Sequence, residues 1–273
     1  MSSVKQMGRR VVKRLYEMTP ACPRCAACGQ KAIVRAGSAL WPELIAEWEL
    51  SPEWAARFDQ REGSACSRCG SNLRSRHLAE ILIASLNETH GTRAESLSEL
   101  CGEPSLQSLA VAEINSAGSL HPFLQKLAHI SYSEYGSKMP DIPSEDLTRL
   151  SYADAAFDLV ITSETLEHVP DIDLALSEIR RVLKPDGRHI FTIPIVWDQP
   201  VTRQRASIEA GELVHHLPPS YHGAPNEGKN DFLVFYEYGL DFVKRCEGAG
   251  FSVETIRDKS NPALVVFITK PKQ

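Results

Sequence analysis

From about residue 105 the chain becomes a series of short apolar runs separated by helical segments, and few architectures accommodate that alternation. The runs are SLAVAEI, LAHISYSEY, FDLVITS, RHIFTIPI, FSVETI and ALVVFIT. Apolar strands alternating with helices imply a mostly parallel sheet covered on both faces. The last two runs are separated only by the turn-like RDKSNPA, which predicts an antiparallel hairpin at one edge.

The first third has a different texture. Residues 1–77 carry 13 Lys/Arg against 7 Asp/Glu, and the whole chain has a net charge of -5, so the remainder stands at -11. Val4, Met7, Val11, Val12, Leu15 and Met18 recur at helical spacing among five basic residues, which predicts a basic amphipathic helix. Its apolar stripe either docks on the body of the protein or meets an acidic partner or a membrane surface. No apolar stretch approaches the length of a membrane span, and the N-terminus lacks the features of a secretory signal, so the expected location is cytoplasmic.

Five of the seven cysteines fall between residues 22 and 69, and four of them form two Cys-x-x-Cys-Gly units, Cys25/Cys28/Gly29 and Cys66/Cys69/Gly70. Two thiolates from one tight turn, with glycine taking the strained position behind them, are what a zinc knuckle requires. Four sulfurs close a tetrahedron, so the expected metal is structural rather than catalytic. Cys22/Cys25 is an alternative first pair, but no glycine follows Cys25. Cys101 and Cys246 stand alone and are read as small buried hydrophobes.

In an open parallel sheet, ligands bind beyond the carboxyl ends of the strands, where the strand order reverses. One strand ends in Glu113 and runs into Asn115, Ser116, Ala117 and Gly118, small residues that let a ligand approach the backbone. Glu134, 21 residues further on, ends the next strand where a carboxylate can hydrogen-bond both hydroxyls of a ribose; the other reading is an exposed charge. Asp146 and Leu147 follow, and Asp158 opens a strand that brings Ser163 and Glu164 to the same edge. The helix beyond keeps Ile172, Ala175, Leu176, Ile179, Val182 and Leu183 on one face, with Asp171 or Asp173 as N-cap and KPDG as its stop.

FDLVITSETLEHVPD, ALSEIRRVLKPDGRHIFTIP and GLDFVKRCEGAGF give residues 105–270 a close resemblance to the class I S-adenosylmethionine-dependent methyltransferases. The resemblance implies an α/β, Rossmann-like, seven-stranded, mostly parallel sheet with the antiparallel edge hairpin, beside a small N-terminal zinc-binding module. It divides the chain into a basic helix and knuckle module (1–76), a helical linker (77–104) and a methyltransferase domain (105–273) with a lid insertion at about 196–237. It implies S-adenosylmethionine as cofactor, with Glu113, Asn115, Ala117 and Gly118 lining the methionine moiety. Glu134 and Tyr135 would lie at the ribose, Asp146 and Leu147 at adenine, and Ser163 and Glu164 beside the methionine end. The first loop departs from the family's Glu/Asp-x-Gly-x-Gly-x-Gly, reading Glu113-Ile-Asn-Ser-Ala-Gly118.

The knuckles followed by SRCGSNLRSRHLAEIL also resemble a bacterial subset of these enzymes that modifies sugars or secondary metabolites. The expected reaction is methyl transfer to a hydroxyl, or an amine, of a small molecule or glycosyl unit. A hydroxyl must lose a proton, and a histidine suits that task. His222 is the first choice, His168 the second, with His215 and His216 nearby in sequence. The alternative is a catalytically impaired, methyltransferase-like protein that recruits a partner through its zinc module. The acidic remainder and the absence of an Asn-Pro-Pro-Tyr motif after the fourth strand weigh against nucleic acid as substrate.

Overall fold

The computed structural model describes residues 23–221 and 232–273. The expected basic helix, Cys22 and His222 lie outside them. After two short strands, β1 (Val34–Arg35) and β2 (Ala65–Cys66), come the parallel strands β3 (Ala110–Ile114), β4 (His129–Ser133), β5 (Phe157–Ser163) and β6 (Leu183–Thr192). The segment expected to form a lid adds β7 (Arg203–Gln204), β8 (Ala206–Glu209), β9 (Glu212–His215) and β10 (Tyr236–Glu237), and the described chain ends with β11 (Phe251–Arg257) and β12 (Val265–Pro271). The main sheet has the order β11-β12-β6-β5-β3-β4. Only β12 runs against its neighbours, pairing antiparallel with both β11 and β6. The predicted edge hairpin is therefore present. The chain passes from β3 outward to β4 and returns on the other side of β3 as β5, which puts the switch point at the carboxyl ends of β3 and β5.

The sheet has six strands rather than the expected seven. Beyond β4 the segment around Asp146 forms only an isolated bridge between Asp146 and Arg149. Its backbone donors are taken by side chains: Thr148 N–H goes to Asp146, Leu150 N–H to Glu178 and Ser151 N–H to Glu145, each at 2.8 Å. An amide bonded to a carboxylate cannot also join a ladder.

The two faces of the sheet bury separate cores. On one, helix Ile172–Val182 buries Ile172, Ala175, Leu176, Ile179 and Val182, while the side chain of Asp171 caps the N–H groups of Asp173 and Leu174. Within β6, a Cβ on Gly187 would lie 2.9 Å from the Phe157 carbonyl oxygen, so this close approach admits only glycine. On the other face, helix Leu73–His90 packs against β6 and β12, with Leu78 and Leu82 buried. This helix crosses the expected boundary at residue 76 and forms a layer of the domain instead of a linker. Its core cluster also contains Cys25, Ala26, Ala27, Cys66, Leu97, Val111 and Ile161, so the cysteine module and the sheet share one interior.

The expected insertion contains paired short strands, β7 with β10 and β8 with β9. β8 and β9 form a hairpin whose turn, Ala210-Gly211, has positive φ at both residues (51° and 86°). That geometry matches the twist of the strands it joins. The N-terminal helices grip this insertion: Trp48 Nε1 donates to Ser220 Oγ at 3.1 Å, Trp54 Nε1 donates to Asp198, and Arg203 bridges Glu49 and Glu237.

Candidate active site

The loop after β3 is organised by Glu113. This carboxylate is fully buried, and it accepts the Ala117 N–H at 2.8 Å and pairs with His121 Nδ1 at 2.8 Å. Burial pushes its pKa up, with Glu134 adding to the effect, against the opposing pull of His121 and the Ala117 N–H. Both oxygens hold the loop in shape. Asn115 adopts φ 56°, a left-handed conformation usually given to glycine. Its Oδ1 accepts the Tyr135 N–H at 2.8 Å, so the departure from the glycine pattern ties the loops after β3 and β4 together.

Glu134, half-buried at the end of β4, accepts a hydrogen bond from the Tyr132 hydroxyl, and its N–H donates to the Pro143 carbonyl. Tyr135 is exposed. Asp146 holds a tight turn by accepting from the N–H and hydroxyl of Thr148, and Leu147 beside it is buried.

At the end of β5, Ser163 Oγ lies 3.0 Å from Thr192 Oγ1 and accepts Arg74 Nη1 at 2.6 Å. Glu164 has φ 50°, and its N–H reaches back to the Thr192 carbonyl oxygen. Arg61, from helix Pro52–Gly63, grips this carboxylate with both terminal nitrogens, at 3.0 and 2.7 Å. Glu62 joins the two basic side chains by accepting Arg61 Nη1 at 2.6 Å and Arg74 Nε at 2.9 Å. Burial opposes the charge on Glu164, yet Arg61 and Arg74 hold its pKa below the usual carboxylate value. The expected neighbour of the methionine end is thus part of a half-buried ionic network supplied by the N-terminal helices. No feature of the sequence distinguished Arg61 from the other basic residues of that region.

The turn that follows β5, Leu166–His168, carries His168. Its Nδ1 lies 3.0 Å from the Leu233 carbonyl, so this nitrogen bears the proton and donates it, while Nε2 lies 3.7 Å from Glu167 Oε1. Burial lowers the His168 pKa and favours this neutral ring. The same turn is fastened to the insertion through Phe235 N–H to the Glu167 carbonyl and Tyr238 hydroxyl to the Leu166 carbonyl. His216 sits on the insertion hairpin, with Nε2 at 2.9 Å from Ser207 Oγ.

Away from this edge, the sulfur atoms of Cys25, Cys28, Cys66 and Cys69 all lie within 4.8 Å of one another. Gly29 (φ 72°) and Gly70 (φ 79°) occupy the same position in two equivalent turns, their N–H groups bonded to the carbonyls of Cys25 and Cys66. Four sulfurs each about 2.3 Å from one ion would stand about 3.8 Å apart. The separation of Cys25 and Cys69 is 3.8 Å. Burial opposes ionisation of Cys66, but the N–H groups of Cys69 and Arg68 carry its pKa below the ordinary thiol value. Cys101 and Cys246 are buried apart from this cluster.

Residues 119–191 match a family model described as a methyltransferase domain. A demethylmenaquinone methyltransferase of Streptomyces avermitilis is 29% identical over 147 residues, which cover 50% of this chain and 62% of that protein. A Lactobacillus johnsonii protein of the same name is 51% identical over 43 residues, covering 16% of this chain and 18% of its own. The chain thus spans less than two thirds of the length of the curated relatives it matches. A solved structure of Burkholderia thailandensis 1,6-didemethyltoxoflavin-N1-methyltransferase, with 1,6-didemethyltoxoflavin and S-adenosylhomocysteine bound, aligns at a TM-score of 0.46 and 15% identity over 89% of this chain and 95% of that one. The matched segment runs from the loop after β3 through most of β6, across the switch point, and this part of the chain is similar to a methyltransferase domain.

Proposed function

We propose that the protein transfers a methyl group from S-adenosylmethionine to a hydroxyl, or an amine, of a small molecule or glycosyl unit. The observation that supports this most is the convergence of three elements at the carboxyl edge of the sheet: the Glu113–Gly118 loop, Glu134, and the Ser163–Glu164 turn. When bound, the cofactor supplies a methyl group already activated by its sulfonium, so the protein's work is alignment and exclusion of water. In this reading the small residues from Asn115 to Gly118 admit the methionine end and Glu134 binds the ribose. Asp146 and Leu147 flank the adenine, and Ser163 and Glu164 close the methyl side. The segment 196–237 acts as a lid that excludes water. His168, neutral and with Nε2 as its proton-accepting nitrogen, assists deprotonation of the acceptor; His222 is assigned to the same edge from sequence alone. Cys25, Cys28, Cys66 and Cys69 hold a structural zinc.

Calorimetry tests the cofactor assignment. S-Adenosylmethionine and S-adenosylhomocysteine are expected to bind, and no binding of either at millimolar concentration rejects the reading. Glu134→Ala is expected to weaken cofactor binding at least roughly tenfold, since hydrogen bonds to a charged group contribute about 1.5–3 kcal/mol. Unchanged affinity would move the ribose elsewhere.

A further inference from the structure

Glu167 lies three residues beyond Glu164, and its side chain is fully buried. Neither carboxyl oxygen makes a hydrogen bond among the described residues. The terminal nitrogens of Arg61 are bonded to Glu164 and Glu62, Arg74 is bonded to Glu62 and Ser163, and the Tyr238 hydroxyl to the Leu166 carbonyl, while Arg61 Nε also makes no hydrogen bond among the described residues. A buried carboxyl without partners is costly, and such groups in native proteins call for an explanation. Here the group sits at the methyl side of the proposed cofactor site, beneath the Leu233–Phe235 stretch that bonds to its own residue and to His168.

We propose that Glu167 meets the donor's positive charge, giving up a proton as the sulfonium binds and taking one back when the methyl group has been transferred. The inference rests on the methyltransferase reading given above and assigns a role to a residue that reading leaves out. The charged groups facing Glu167 are Glu164 at the end of β5, Arg61 and Arg74 from the N-terminal helices, His168 on the same turn, and the ionisable Tyr238 from the end of the insertion. Burial, then the charge of Glu164, pushes the Glu167 pKa well above the usual carboxylate value and favours its neutral form, with Arg61 and Arg74 acting in the opposite direction. A sulfonium adds one positive charge to this balance and favours the carboxylate; the neutral thioether left after transfer withdraws it. In the transfer itself, a lone pair on the acceptor oxygen or nitrogen forms the bond to the methyl carbon, and the carbon–sulfur pair returns to sulfur. The acceptor's proton passes to Nε2 of His168 and on to Glu167, 3.7 Å away. The proton lost on donor binding is thereby restored, and the protein ends each cycle at its starting charge.

The test needs no acceptor. Calorimetry near neutral pH in two buffers of different ionisation enthalpy counts the protons released by S-adenosylmethionine and by S-adenosylhomocysteine. The expected result is about one proton per sulfonium bound and none for the thioether. While Glu167 is protonated in the free protein, donor affinity should rise about tenfold per pH unit, and product affinity should stay flat. Glu167→Gln should abolish both the release and the slope. Equal release by the two ligands, or release that persists in the Gln variant, overturns the proposal. Infrared difference spectra of the unaltered protein decide the matter should that variant not fold: the donor, not the product, must erase a carboxylic-acid carbonyl band, and a band that survives donor binding overturns the proposal. If neither ligand binds, the methyltransferase reading fails first and takes this inference with it.

Discussion

Arg61→Ala is expected to destabilise the protein by about 1.5–3 kcal/mol, because it takes two charge-assisted hydrogen bonds from a largely buried carboxylate and leaves it only Arg74, 4.0 Å away. The Arg61 side chain is 2% exposed and grips Glu164 with two bonds while also reaching Glu62 and the Ile193 carbonyl. Removing one member of such a pair is costlier than removing both, since the survivor keeps its desolvation cost and loses its compensation. Arg61→Met combined with Glu164→Leu should therefore recover much of the lost stability while still failing to bind cofactor normally. Urea unfolding monitored by fluorescence checks the first part and calorimetry with S-adenosylhomocysteine the second. A loss below about 1 kcal/mol for the single variant would place the pair in the class of solvent-screened ion pairs.

The second large effect is expected at the cysteine cluster. Zinc binding free energy becomes folding free energy wherever the site does not exist in the unfolded chain. Cys66→Ser, or a strong chelator, should remove the ion and lower the melting temperature of the whole described structure, because Cys25 and Cys66 share their core with Leu78, Leu82, Val111 and Ile161. The cost should be several kcal/mol, below the roughly 10–16 kcal/mol apparent binding energy of isolated zinc-finger peptides. Elemental analysis after gel filtration should find about one zinc per chain. Less than half an equivalent, with fully titratable thiols, would reject the assignment.

The parts legible in the sequence were those written in local patterns. The apolar runs from Ala110 to Thr192 became parallel strands, and a short polar turn predicted the pairing of β11 with β12. Positive φ at Gly29 and Gly70 matches the strain relief that a knuckle requires of a glycine after its second thiol. Asp171, one of two candidates, supplies the helix cap. The rest depends on residues that meet only after folding. Arg61 and Glu164 are separated by 103 positions, and no periodicity connects them. The missing seventh strand was equally hidden, because Leu150 loses its ladder donor to Glu178, a residue 28 positions away on another element. The short strands of the insertion escaped detection because two- and four-residue pairs carry too little apolar pattern.

Helix Leu73–His90 has a practical implication for anyone dissecting this protein. Leu78 and Leu82 roof one face of the sheet, so a polypeptide trimmed to begin at residue 105 would leave that face naked to water. Such a fragment would keep every strand of the main sheet and still aggregate, because its missing hydrophobic roof is encoded ahead of the segment that the family model matches.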